Sequence, residues 1–448
     1  MSGIQEISSA TEERNWAALI DDIIDGRWTH PETGQPAVVP YDRVVIAESL
    51  DGTEADLVDA MKLGDRLAIV ADEATFAALG ARVELALAGR NVSVILLDHP
   101  HADMAHSAAL RERLSSVDGA IAVGSGTIND LVKYVMAEDR RPYCVFGTAA
   151  SMNGYTSSTA SITLESGLKV SLPSIAPRGF FADLSVAAAA PRRLAAAGFG
   201  DCLARSVAQI DWWISHRLLG TEYQQVPYII QEADERELNA RAAGIAAGNI
   251  EAIGYLYRVL TLCGLGIAFT GVSHHGSMGE HQISHYIDCF AGDRHPGTLH
   301  GQQVGVASLT MARLQQQILS AETPPTVGPT RVDEADMVRR LGPVIAAQCL
   351  EEFRRKALDQ AGADRLNARM REIWPELRRE CAGLAIPAEQ MERLLRAAGG
   401  ATTAAELGVP GDFYREAVLR CREMRNRFSV LDIADDAGLL AGFAAKER

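Results

Sequence analysis

Five short runs rich in β-branched and apolar residues, "DRVVIAESL", "RLAIVADE", "VSVILLDH", "GAIAVGSG" and "PYCVFGTAA", recur between residues 42 and 150. The stretches between them, such as "ATFAALGARVELALAG", have helical spacing and Ala, Leu, Glu and Arg content. Strand and helix alternating at this rhythm dictate a parallel sheet with covering helices. The runs do not alternate apolar with polar, as strands buried on both faces require.

From about residue 182 the texture changes. "SVAAAAPRRLAAAGFGDCLARSVAQIDWWISHRLL" reads as helix, with Pro191 suited to a first turn, and helical patterns continue to the C-terminus with breaks near "ETPPTVGPT" and "GVPGD". Ahead of the sheet, residues 1–38 read as an appended segment in which the amphipathic "NWAALIDDIIDG" leads into the turn-rich "HPETGQP". The expected fold class is α/β: a Rossmann-like, parallel-sheet nucleotide domain over 39–181, then an all-helical metal- and substrate-binding domain over 182–448. A chain of 448 residues makes more than one domain the natural expectation. The crevice between two such domains is the expected ligand site.

Charge and cysteines narrow the function. A net charge of -15 repels nucleic acid and anionic membrane, though a local cradle can still hold a small phosphorylated ligand. Cys144, Cys202, Cys263, Cys289, Cys349, Cys381 and Cys421 are scattered singly, which suits reduced thiols in cytoplasm better than a disulfide framework. The N-terminus lacks the pattern of a signal peptide, and no uninterrupted apolar run reaches the roughly 18 residues of a spanning helix.

Two places carry chemistry. "GAIAVGSGTINDLVKYV" is a strand ending in Gly124-Ser125-Gly126-Thr127, followed by a helix. Glycines there let backbone N–H groups approach an anion at a helix N-terminus. Asn129 stands where GxGxxG needs its third glycine, and the GK[ST] ending of a Walker loop is missing. The next strand ends in a second polar turn, "FGTAASMNGYTSS", and the two turns together favour a pyrophosphate site. Farther on, "GEHQISHYID" sets His281 and His285 four residues apart on one helix face, and "TLHGQQVGVASL" supplies His300. The residues alone leave a metal site and a solvated helix surface both open.

Taken in order, "VGSGTINDLVKY", "TAASMNGYTSS", "AAGFGD", "GEHQISH" and "HGQQVG" resemble the sn-glycerol-1-phosphate dehydrogenase family. That family belongs with glycerol dehydrogenase, iron-type alcohol dehydrogenases and dehydroquinate synthase. The resemblance runs from about residue 40 to 310 and, more weakly, to "RNRFSVLDIA". It implies a divalent metal (Zn, Ni or Fe) on Asp201, His281 and His300, a ligand set that coordination chemistry allows. It also implies NAD or NADP on Gly124, Ser125, Gly126, Thr127 and Ile128, with Thr148, Ser151 and Ser157 as further contacts. Asp72, at the end of "LAIVADE", is a candidate acceptor for an adenosine ribose hydroxyl. His285 is a candidate substrate hydrogen-bond or proton-relay partner beside Asp201. His274 and His275 fall outside the motifs and read as loop residues near the cleft, while Lys133 reads equally as a surface lysine or a cleft cation.

One residue departs from the family pattern: Asn153 stands in "SMNG" where the family commonly has Asp holding the substrate. The implied reaction interconverts dihydroxyacetone phosphate and sn-glycerol 1-phosphate, in a cytoplasmic homo-oligomer. The alternatives are a cyclase of the dehydroquinate synthase type, whose relatives place glutamate where Asp201 stands, and a non-catalytic nucleotide-binding scaffold.

Overall fold

The computed structural model describes residues 15–447. Six parallel strands form one sheet: β1 (Arg43–Ala47), β2 (Arg66–Asp72), β3 (Asn91–Leu97), β4 (Gly119–Gly124), β5 (Tyr143–Gly147) and, after a hairpin, β8 (Gly179–Asp183). Their order across the sheet is β1-β8-β5-β4-β2-β3. Every residue of β4, β5 and β8 is buried, whereas the edge strand β3 is largely exposed. Of the five apolar runs, those of β2, β4 and β5 lie inside the sheet, buried on both faces, while those of β1 and β3 form its two edges. β8 is the strand that the sequence pattern did not announce, and it straddles residue 182, where helical texture was expected to begin. Phe180 and Phe181, pointing to opposite faces and fully buried, each stabilise the sheet by ~1.5–3 kcal/mol.

β2 leads outward to β3, while β4 on its other side leads to β5, so the strand order reverses between β2 and β4. Open parallel sheets bind ligands at the carboxyl ends of strands beside such a reversal. The Gly124–Thr127 turn leaves β4 at that point. Asp72 ends β2 on the same edge, since Val70 pairs with Ala122 in the register.

The hairpin between β5 and β8 pairs β6 (Thr159–Thr163) with β7 (Lys169–Pro173) antiparallel. Beyond β8 the described chain is helical. The helices that matter for the site are Arg192–Leu219, Ile250–Thr270, Gly279–Phe290 and His300–Ser320. Ile250–Thr270 is long and apolar enough to cross a membrane, but 83% of its apolar window is buried inside the protein, as a core helix must be. Arg258 interrupts that stretch, which is why it does not read as a continuous apolar run.

The N-terminal segment is less detached than expected. In the helix Ala18–Ile24 the side chains Ile20 and Ile23 are fully buried, and Trp16 packs onto Gly254 of the core helix. Residues 1–14 of that expectation lie outside the described residues. All seven cysteines are free.

Candidate active site

Three glycines decide how closely the helices approach one another. A Cβ on Gly200 would lie 2.3 Å from the Gly301 carbonyl oxygen, and one on Gly301 would lie 2.1 Å from the Ala197 carbonyl oxygen. A Cβ on Gly198 would lie 2.0 Å from the Ala150 carbonyl oxygen. Backbone therefore touches backbone in each case, which no other residue permits. "GFGD" presses Asp201 of the Arg192–Leu219 helix against the start of the His300–Ser320 helix. The same helix meets the turn after β5. His281 and His285 come from the Gly279–Phe290 helix packed beside them.

The result is a convergence of one carboxylate and two imidazoles. Ligand atoms of Asp201, His281 and His300 all lie within 4.8 Å of one another. His281 Nε2 is 3.4 Å from Asp201 Oδ1, and two donors at ~2.1 Å from a tetrahedral metal stand about 3.4 Å apart. Among the described residues Asp201 Oδ1 is buried with no hydrogen-bond partner, an acceptor that a cation would satisfy. Its Oδ2 is fixed by the Asn153 backbone N–H, which donates at 2.9 Å.

The outer groups orient the rings. His281 Nδ1 lies 2.8 Å from Glu280 Oε1 and His300 Nδ1 lies 3.0 Å from Ser284 Oγ, so each ring keeps Nε2 for a ligand. Burial opposes a charged His281, yet the Asp201 and Glu280 carboxylates outweigh it and raise its pKa to about 9. Burial, aided by the His281 charge, pushes His300 down to about 4. A buried pair of carboxylates thus demands positive charge beside a neutral imidazole, and the residues present fit a divalent metal.

His285 completes the ring cluster, 5.3 Å from His300 and 6.2 Å from His281 between ring centroids. Its Nδ1 is buried without a hydrogen-bond partner among the described residues. Burial, with the charge of Arg425 next, holds its pKa well below the ordinary imidazole value.

The triad opens into a cleft of about 780 Å³ that reaches the β4 turn. Ser125, Gly126, Thr127, Ser151, Asn153 and Ser157 line it, together with Asp201, His281, His285 and His300. The helix Gly126–Glu138 begins there, and the Ser125 side chain makes no capping bond, so the first-turn N–H groups face the cleft unclaimed by a cap. A Cβ on Gly124 would lie 2.7 Å from the Ile128 side chain. The turn fits the pyrophosphate of a dinucleotide.

Other expected residues stand apart. Gly124, Ile128 and Thr148 shape the turn from behind without lining the cleft, Thr148 N–H donating to the Gly124 carbonyl at 3.1 Å. Asp72 caps the short helix after β2, its Oδ1 accepting from Thr75 N–H at 2.7 Å, and it does not line this cleft. His275 lines the cleft and bonds the Cys263 carbonyl at 2.9 Å, while His274 sits against Trp212.

Lys133 is neither a surface lysine nor a cleft cation. It is fully buried, and its Nζ donates to Ser157 Oγ and to the Gly154 and Thr159 carbonyls, tying the second turn together. Burial pushes it down to about 8 against the pull of Asp130.

Glu280 and Ser284 were not foreseen, and neither was the part of the cleft wall made by the β6–β7 hairpin. Glu280 and Ser284 sit within "GEHQISHYID", where adjacency to a ligand histidine was the available signal.

A Val at position 126 tests the turn. A Cβ there already stands 3.3 Å from Met152 Cγ, and overpacking of this kind costs ~1–3 kcal/mol. Fluorescence titration with NADH should show affinity lowered roughly 10- to 100-fold, with metal content unaltered. Unchanged affinity would place the dinucleotide elsewhere.

The family model of iron-containing alcohol dehydrogenases matches residues 45–191. The glycerol-1-phosphate dehydrogenase [NAD(P)+] of Bacillus velezensis is 33% identical over 274 residues, covering 57% of this chain and 68% of the relative. The enzyme of the same name from Bacillus licheniformis is 28% identical over 390 residues, 85% of each chain. That from Halalkalibacterium halodurans is 34% identical over 260 residues, 55% of this chain but 64% of the relative's length, just under two thirds. A solved structure of a probable glycerol dehydrogenase from Sinorhizobium meliloti superposes with a TM-score of 0.59 at 18% identity, covering 91% of this chain and 99% of that one. The fold and the paired sites thus define the class, an NAD(P)-linked, metal-dependent dehydrogenase. Within that class the chain belongs to the glycerol-1-phosphate dehydrogenase family.

Proposed function

We propose that the protein interconverts dihydroxyacetone phosphate and sn-glycerol 1-phosphate, using NAD or NADP and one divalent metal. The observation that carries this reading is the single cleft joining the Ser125–Thr127 turn to Asp201, His281 and His300. On this reading residues 39–181 hold the dinucleotide and 182–448 the metal and substrate.

Backbone N–H groups of the turn bind the pyrophosphate, and the Ser151 hydroxyl adds a donor without negative charge. Ser157, whose hydroxyl meets Lys133 and the Gly154 and Thr159 carbonyls, shapes the second turn. When bound, the metal supplies Lewis acidity at the C2 oxygen and the nicotinamide gives or accepts the hydride. Asp201, His281 and His300 hold the metal, and Glu280 and Ser284 orient the two imidazoles. Asn153 fixes Asp201 through its backbone N–H and offers its side-chain amide to a substrate hydroxyl. His285, kept neutral, takes or returns the hydroxyl proton at a ring nitrogen.

A reduced cytoplasmic setting and a homo-oligomeric state go with this reading; seven unpaired cysteines support the first.

The test is spectrophotometric. After metal reconstitution, dihydroxyacetone phosphate should drive stoichiometric oxidation of NADH or NADPH. Turnover without net cofactor consumption would identify a cyclase instead.

A further inference from the structure

A phosphorylated substrate brings about two negative charges, yet the cleft is lined by Asp103, Asp130, Asp201 and Asp288. Among the described residues its single lining Lys or Arg is Lys169, already paired with Asp288 at 2.9 Å. Positive charge must reach the phosphate from elsewhere.

The motif "RNRFSV" supplies it. Among the described residues, neither Arg425 nor Arg427 has a carboxylate within 4.0 Å. Arg427 Nη1 donates to the Ser277 carbonyl, and its Nη2 donates to Ser273 Oγ at 2.8 Å. Ser273, His275, Gly276 and Ser277 all line the cleft, and a Cβ on Gly276 would stand 3.7 Å from Asn153 Nδ2. The loop therefore faces the residue that meets the substrate hydroxyl. The Arg427 backbone is itself anchored, its carbonyl accepting from Lys356 Nζ at 3.0 Å and from Gln282 Nε2 at 3.4 Å. Arg427 is thus a fixed guanidinium behind a short loop of hydroxyls.

Resting on the reading above, we propose that the Ser273–Ser277 loop is the seat of the substrate phosphate and that Arg427 is its positioning residue. Arg427 holds the loop against the cleft and places a positive charge behind it, one that the Glu280 carboxylate reaches only from beyond ion-pair distance. Burial and the neighbouring Arg425 lower its pKa only to about 9, so it is charged at neutral pH. Burial, with the Arg427 charge second, also holds His274 of the same loop down to about 3, so that ring adds no charge of its own.

The test compares the metal-loaded enzyme with its Arg427→Met, Arg427→Lys and Ser273→Ala variants. In Arg427→Met the KM for dihydroxyacetone phosphate should rise roughly 10-fold or more, the size of one hydrogen bond to a charged group. The inhibition constant of inorganic phosphate should rise in parallel, while kcat falls less. Arg427→Lys should recover part of both. Ser273→Ala, which keeps the guanidinium, should raise KM about 3-fold, within the worth of one neutral hydrogen bond. That last variant answers the question even if Arg427→Met folds poorly.

Unaltered KM and unaltered phosphate inhibition in Arg427→Lys and Ser273→Ala would overturn the proposal. So would an Arg427→Met loss as large with unphosphorylated dihydroxyacetone as with its phosphate. A parent enzyme that ignores inorganic phosphate and uses both substrates equally would overturn the substrate reading itself, and this inference with it.

Discussion

His281→Ala and His300→Ala are each expected to lose the bound divalent metal and nearly all activity while the fold survives. Either change leaves two protein donors where Asp201, His281 and His300 now converge within 4.8 Å. A metal acting as Lewis acid is worth several kcal/mol of transition-state stabilisation, so turnover should drop by about 10³-fold or more. The two variants should nevertheless differ in stability. His281 lies between two buried carboxylates, and removing it leaves Glu280 Oε1 with only the Met278 N–H donor at 2.8 Å. His300→Ala removes one hydrogen bond, to Ser284 Oγ, and a longer 3.9 Å contact with Asp288. The Ser284 hydroxyl still meets Gln303 Oε1 at 2.9 Å, and Asp288 keeps Lys169 at 2.9 Å. His281→Ala should therefore unfold at the lower temperature, by the ~1–3 kcal/mol that an uncompensated buried polar group costs. Metal content by atomic absorption and a thermal melt check both statements. Full metal occupancy with near-normal turnover in either variant would refute the ligand assignment.

The sheet was legible where its strands are wholly buried. β4 and β5 are apolar throughout because both faces meet helices, and burial on both faces writes a continuous apolar run. β8 is equally buried, but "GFFAD" is five residues long and adjoins an alanine-rich helical tract that masks it. The β6–β7 hairpin does alternate, T-A-S-I-T burying Ala160 and Ile162, but each run is five residues long with only two apolar residues, too short for its period to stand out.

The site divides in the same way. Asp201 lies 80 residues before His281, which is itself 19 before His300, and the three share no local pattern; ordered motifs linked them, and the helices explain how they meet. Glu280 immediately precedes His281 and Ser284 follows it by three residues, but their roles become visible only when the rings have directions. Lys133 shows the limit most plainly. Its "NDLVKY" context allows surface or cleft, and only the fold shows Nζ turned inward onto Gly154, Ser157 and Thr159.

Gly301→Ala is expected to disable the site without touching a ligand. The new Cβ would stand 2.1 Å from the Ala197 carbonyl oxygen, and that atom belongs to helix backbone that cannot swing aside as a side chain can. The His300–Ser320 helix must then move away from Arg192–Leu219, carrying His300 from Asp201. A displacement of ~1 Å in such a constellation costs on the order of 10²-fold in rate, and overpacking adds ~1–3 kcal/mol of destabilisation. Gly200→Ala should act alike, since its Cβ would meet the Gly301 carbonyl oxygen at 2.3 Å across the same seam. Because one separation relieves both clashes, the double variant should lose less than the sum of the two single losses. Gly383→Ala is the contrast. It lies in the helix Gln360–Leu384 with nothing within 4 Å of its Cβ, so the exchange should stabilise by up to ~1 kcal/mol through helix propensity alone. Titrating metal into each apo-protein, with a thermal melt beside it, separates the cases. A Gly301→Ala protein that binds metal as tightly as its parent would mean that the close approach of the two helices serves packing and not the geometry of the ligands.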